Sequence, residues 1–139
     1  MKYLLDTCAI SELLKKQPNP GVIQWFASRE EMSLHLSVVT LGEIQKGISK
    51  LSDLHRQQPL QEWLQTKVVK RFDGRILPLN PEVMFVWGDI LGQEERHGIV
   101  LPVVDMLIAA TAIVHHMQVV SRNVHDLRRC HAVVVDPWE

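Results

Sequence analysis

"MKYLLDTCAISELLKK", residues 1–16, carries the decision about the fold, because Asp6 falls at the point where its apolar run stops. The segment "KYLLD" is short and apolar without polar alternation, which reads as a strand buried on both faces. "AISELLKK" then sets Ile10, Leu13 and Leu14 at helical spacing until "QPNPG" ends the pattern. Asp6 therefore sits between a buried strand and a helix. There it either caps the helix by accepting backbone N–H bonds or supplies the first acid of a metal site.

The same alternation continues along the chain. "NPGVIQWFASREE" reads as a short helix with Val22, Ile23 and Phe26 inward, and "MSLHLSVV" as an alternating strand. A helix is predicted from Thr40 through "TLGEIQKGISKL", with Leu41, Ile44, Ile48 and Leu51 on one face. Residues 53–72 read as a helix broken near Pro59, and "GRILPL" as a strand. "NPEVMFVWGDILGQEERHG" is a helix capped by Asn80, with Pro81 in its first turn and Gly98 at its end. "LPVVDMLIAATAIVHHM" is so apolar that it belongs in the middle of a domain. "QVVSRN", "VHDLRR" and "HAVVVDP" complete the pattern as strand, helical turn and strand. Short apolar strands alternating with helices imply an α/β fold with a mainly parallel sheet covered on both faces. In such sheets sites form beyond the carboxyl ends of the strands.

At 139 residues and 46% apolar composition, one domain spanning residues 1–139 with its own core is expected. Fifteen basic residues against sixteen acidic ones leave no global field to attract nucleic acid or an anionic membrane, so any nucleic-acid contact must be local. Cys8 and Cys130 lie far apart and form no C-x-x-C pair, which suits a reduced cytoplasmic protein. The longest apolar run, residues 98–114, contains Pro102 and Asp105 and falls short of a membrane span.

The informative acids are Asp6, Glu43, Asp105 and Asp126. Glu43 follows Thr40 in the T-x-x-E spacing of a capping box, and Asn123 with Asp126 repeats the spacing as N-x-x-D. Read alone, each is a helix cap. Asp105 stands among Val103, Val104, Leu107 and Ile108 with no Lys or Arg within a turn or two, and an unpaired buried carboxylate is expensive. Asp6 and Asn123 each follow a strand and Glu43 opens the helix after another, so a parallel sheet brings them to one edge. Carboxylates gathered without basic neighbours repel, and a divalent cation offsets the repulsion. An all-oxygen donor set suits Mg²⁺ or Mn²⁺, and phosphodiester hydrolysis follows as the expected chemistry.

"LLDTCAISEL", "SVVTLGEIQKGI", "LPVVDMLIAATA" and "VVSRNVHDL", in this order, resemble the PIN-domain ribonucleases, and the ending "VVVDPWE" resembles their VapC and FitB toxin branch. The resemblance covers nearly the whole chain. It implies a three-layer α/β/α sandwich and a Mg²⁺- or Mn²⁺-dependent endoribonuclease. It also implies frequent homodimers and a cognate antitoxin protein, with DNA reached only through that antitoxin. By motif, Asp6, Glu43 and Asp105 take the places of the family's first three acids, with Asp6 and Asp105 as the direct metal ligands. Asn123 occupies the position that some members fill with a fourth acid. Asp126, one turn on, then completes the catalytic set, while Thr7, Ser121, Arg122 and Asn123 orient neighbours or substrate. Cys8 is expected to serve packing.

In the expected mechanism, metal held by Asp6 and Asp105 activates water for in-line attack, with Glu43 orienting that water or holding a second metal. No histidine is required, and none forms H-E-x-x-H. The densest basic run, "KVVKRFDGR" with Lys67, Lys70, Arg71 and Arg75, and Arg128 with Arg129, read mostly as solvated faces. Arg122 is set apart by its place beside the acids. Trp25, Trp63, Trp87 and Trp138 are divided between the core and an interface with a second copy or the antitoxin. Two rival readings remain. One is a metal-dependent phosphatase of another α/β class, which wants D-x-D where this chain has Cys8. The other is a catalytically silent partner acting through a DNA-binding antitoxin complex.

Overall fold

The computed structural model describes residues 1–139 and contains five short strands. These are β1 (Tyr3–Leu5), β2 (Leu34–Ser37), β3 (Ile76–Leu77), β4 (Gln118–Val120) and β5 (Val134–Val135). They form one sheet in the order β3-β2-β1-β4-β5, and every pairing is parallel. Tyr3 is in register with Leu34 on one side and with Gln118 on the other. The chain builds outward from β1 through β2 to β3, then returns to lay β4 on the opposite side of β1. That reversal between β1 and β4 is where an open parallel sheet leaves a crevice at its carboxyl edge.

The helices are α1 (Thr7–Glu12), α2 (Pro20–Ala27), α3 (Val38–Ser49), α4 (Leu54–Glu62), α5 (Val69–Arg71), α6 (Pro81–Arg96), α7 (Val103–Val114) and α8 (Val124–Arg129). They cover both faces of the sheet, as alternation along each strand requires. Leu4 and Val119 join Met106, Ile108, Ala109 and Leu127 in one core. Their neighbours Leu5 and Val120 join Ile10, Trp25, Leu36 and Phe72 in the other. The sandwich therefore has three layers. No helix is long and apolar enough to cross a membrane.

Several local expectations change. In α2 it is Trp25, with Val22, that is buried, whereas Ile23 is exposed. All four residues of β2 are buried, because the sheet is covered on both sides and leaves no polar face to alternate with. The helix after β2 begins at Val38 behind an Ser37 cap, rather than at Thr40. The chain stays helical through Pro59, and the irregularity falls instead at a π-helical segment, Trp63–Val68, before α5. Asn80 caps α6 as expected by accepting the Val83 amide, and Gly98 takes φ 76° just beyond it.

Glu12, which the sequence pattern leaves unremarked, fastens the end of the chain. It is 4% exposed, and its carboxylate accepts the Trp138 indole N–H at 2.9 Å, the Asn19 amide at 3.1 Å and the Lys15 ammonium at 3.1 Å. Gly21 allows the tail to lie this close, since a β-carbon there would stand 2.6 Å from the Pro137 carbonyl oxygen. The indole bond, then the Asn19 amide and Lys15, hold the Glu12 carboxyl down to about 2, from an ordinary 4.5. A depressed native pKa means that the unfolded chain takes up the proton first. The stabilisation is complete above the unfolded value and is lost as pH falls towards 2. Glu12→Gln should therefore unfold at lower denaturant than wild type near neutral pH, with the gap narrowing as pH falls from 4.5 to about 2. Denaturation followed by tryptophan fluorescence checks this, and a gap independent of pH would refute it.

Candidate active site

Asp6 leaves β1 with its backbone still paired, its amide donating to the Val120 carbonyl at 3.0 Å. Its carboxylate accepts the Thr7 amide at 2.9 Å through Oδ1 and the Ser121 hydroxyl at 2.8 Å through Oδ2. Asp6 is the N-cap residue of α1 by position, yet it bonds the first helical amide rather than the second or third that a cap side chain usually takes. The two readings of Asp6 thus coexist. Ser121, fully buried just past β4, also accepts the Asn123 amide at 2.9 Å, so one hydroxyl ties the ends of both central strands together.

Glu43 is no capping-box residue. Because α3 starts at Val38, Thr40 lies inside the helix, and Glu43 projects from its second turn to accept the Thr7 hydroxyl at 2.9 Å. Asp105 is in the first turn of α7, where the helix dipole favours a negative charge. Its Oδ2 accepts the Asn123 side-chain amide at 3.2 Å. Asn123 stands at the N-cap position of α8 but makes no capping bond, because its side chain is turned to Asp105.

Asp6, Thr7, Cys8, Glu43, Asp105, Arg122 and Asn123 together line an open depression of about 500 Å³. Asp126 does not reach its wall and lies 3.6 Å from Arg129 in its own helix. Its charge still acts on Asp105, so it belongs to the field of the site while Asn123 holds the place on the wall. None of Asp6, Glu43 and Asp105 takes part in an ion pair, and neither does Arg122. Burial pushes the Asp105 carboxyl above its ordinary value, and the charges of Asp6, Asp126 and Glu43 push the same way against the Asn123 bond. No trio of His, Cys, Asp or Glu side chains closes into a cage for an ion. Two of these carboxylates with water completing the shell still suit Mg²⁺, which keeps several waters.

Cys8 does more than pack. Its Sγ lies 3.4 Å from the Ser121 hydroxyl and accepts the Arg122 amide at 3.4 Å, bracing the turn that carries Arg122 and Asn123. In the basic run at 67–75, Lys67 and Lys70 are exposed to solvent as expected, whereas the two arginines are paired. Arg75 is 6% exposed and bonded to the Leu34 carbonyl and Glu31, and Arg71 also pairs with Glu31. Of the tryptophans, Trp25 is buried in the core and Trp63, Trp87 and Trp138 are half-buried.

A PIN-domain family model matches residues 3–130, spanning the acids, the crevice and all but the last strand. The chain belongs to the PIN-domain family. As a PIN domain it is 33% identical over 135 residues to Toxin FitB of Neisseria gonorrhoeae, covering 97% of each chain. It is 30% identical over 136 residues to VapC ribonuclease Y4jK of Sinorhizobium fredii, covering 98% of this chain and 97% of the relative. The structure of FitAB bound to the IR36 DNA fragment superimposes with a TM-score of 0.89 at 33% identity, covering 99% of this chain and 96% of the other.

The charge on Asp105 works against the fold of the PIN domain. With its pKa raised in the folded state, its effect on stability is most favourable at low pH and is lost as pH rises through the folded value. Asp105→Asn should therefore raise the melting temperature of chelator-treated protein by a few degrees near neutral pH. The gain should shrink on acidification. Thermal unfolding followed by circular dichroism decides it, and a lower melting temperature for the variant at neutral pH would contradict the crowding of these acids.

Proposed function

We propose that this PIN domain is a divalent-metal-dependent endoribonuclease and the toxin of a toxin–antitoxin pair. The observation that carries the reading is the depression itself, where three carboxylates without ion-pair partners face a single unpaired guanidinium. Such a site rejects a polyanion until a cation is present. The relatives named ribonuclease and toxin support RNA as substrate and toxicity as outcome. FitAB on DNA supports an antitoxin partner through which DNA is reached indirectly.

Asp6 and Asp105 would hold the ion, Mg²⁺ or Mn²⁺, by their oxygens. When bound, the ion supplies Lewis-acid stabilisation of the phosphodiester and makes water a better nucleophile near neutral pH. Thr7 fixes Glu43 by one oxygen and leaves the other to orient the attacking water and receive its proton. Arg122 binds a non-bridging phosphate oxygen of the RNA, its loop braced by Cys8. Ser121 and Asn123 keep Asp6 and Asp105 in place. A phosphatase of the D-x-D type has no second acid here, because position 8 is a thiol already bonded to the neighbouring loop. A catalytically silent partner has no use for three unpaired carboxylates.

Purified protein, free of antitoxin, should cleave structured RNA with Mg²⁺ and not with chelator, and should leave single-stranded DNA uncut. Asp6→Asn should lower the rate by about 100-fold or more while staying folded, since asparagine also serves at a helix start. Absence of metal-dependent RNA cleavage by folded protein would overturn the reading. We further propose that a second copy of the chain docks against exposed apolar residues of α6 and around the start of α7, where Phe85, Val100 and Val103 are 78%, 76% and 57% exposed and the Trp87 indole N–H reaches the Val103 carbonyl. Phe85→Glu should convert dimer to monomer in light scattering without loss of helical signal; an unchanged dimer mass would place the interface elsewhere.

A further inference from the structure

We infer that the carboxylate site is built for one divalent ion rather than two, and that Asn123 is the positioning residue that sets this number. The inference rests on the metal-dependent reading above.

Four of the six carboxylate oxygens of Asp6, Glu43 and Asp105 are engaged by protein donors. Thr7 and Ser121 hold the two oxygens of Asp6, the Thr7 hydroxyl holds Oε1 of Glu43, and the Asn123 amide holds Oδ2 of Asp105. Only Oδ1 of Asp105 and Oε2 of Glu43 are without a protein partner. An engaged oxygen keeps a second lone pair and can still face an ion. A two-metal site asks for more, because ions about 3.5–4 Å apart need a carboxylate bridging them and further anionic ligands beyond it. The Asn123 amide engages Oδ2 of Asp105 and leaves only Oδ1 of that carboxylate without a protein donor, so a carboxylate that would serve both ions is already partly committed to the protein.

Charge leads to the same number. Three carboxylates and the Arg122 guanidinium on the wall leave an excess of two negative charges, which one divalent cation neutralises. A second ion would leave the depression strongly positive unless another acid joined it. The remaining nearby acid, Asp126, is off the wall and beside Arg129. Position 123 is on the wall, and it carries a neutral amide whose N–H donor faces Asp105. A carboxylate there would remove the donor, free Oδ2 of Asp105 and add the missing charge.

The test is titration of the metal-free full-length protein with Mn²⁺, reading free Mn²⁺ by electron paramagnetic resonance, with circular dichroism to establish folding. Wild type should bind one ion per chain, and Asn123→Asp should bind two. Asn123→Ala should still bind one, about 10–100-fold more weakly, because Asp105 loses its outer support. Two ions in wild type, or one ion at unchanged affinity in folded Asn123→Asp, would overturn the inference and leave the metal-dependent nuclease standing. No Mn²⁺ bound by folded wild type would overturn both. The wild-type count needs no variant, so the one-ion claim stays open to refutation even if Asn123→Asp is unstable.

Discussion

A buried hydroxyl at the end of one central strand holds a carboxylate at the end of the next. The bond from Ser121 to Asp6 spans the place where the sheet reverses its order, and it fixes the spacing of β1 and β4 at their carboxyl ends. Nearly everything at the site hangs from those two residues. Asp6 orders the first turn of α1 and so places Thr7, which in turn places Glu43. Ser121 orders the turn after β4 and so places Asn123, which in turn places Asp105. Four separate stretches of chain are thereby set around one depression by short polar bonds rather than by loops of their own.

That arrangement stands against the ordinary preference of a folded protein. Carboxylates crowded without counter-ions repel, and burial first, then the charges of Asp6, Asp126 and Glu43, push the Asp105 carboxyl above its ordinary value. The fold tolerates it because the rest of the molecule is conventional. Two apolar cores sandwich the sheet, and the tail is clamped through Glu12 and Trp138. Where charge serves structure it is matched: Glu12 meets Lys15 and two N–H donors, and Arg75 meets Glu31 and backbone carbonyls. At the depression three carboxylates instead converge with no ion-pair partner, which is the pattern of a functional site rather than a stabilising one.

Much of this was legible in the chain. The non-alternating apolar β1 and β4, the Asn80–Pro81 start and the Gly98 stop of α6, and the apolar α7 all follow from local chemistry and are found where expected, whereas β2, expected to alternate, is buried throughout. The parallel sheet then brings Asp6, Glu43, Asp105 and Asn123 to one edge. The misreadings share a physical cause, which is that a local pattern can be satisfied in more than one way. Thr40 and Glu43 have capping-box spacing, but Ser37 captures the helix start three residues earlier and frees Glu43 for Thr7. Arg71 and Arg75 read as part of a solvated face, but Glu31, forty residues from Arg71 in sequence, pairs with both, and Arg75 is buried.

By itself, the sequence determined the element types, the layered α/β class and the identity of the acids, because these depend on periodicity, on turn chemistry and on which residues carry charge. Only the tertiary structure decided which carboxylate faces which donor. It put Asn123 rather than Asp126 on the wall, turned Cys8 from a packing residue into a brace, and made Glu12 an anchor for Trp138. The reason is range. A helix or strand is chosen by neighbours within a few residues, whereas each hydrogen bond from Thr7 to Glu43, Ser121 to Asp6 and Asn123 to Asp105 joins segments that only the closed sheet brings within 3.2 Å.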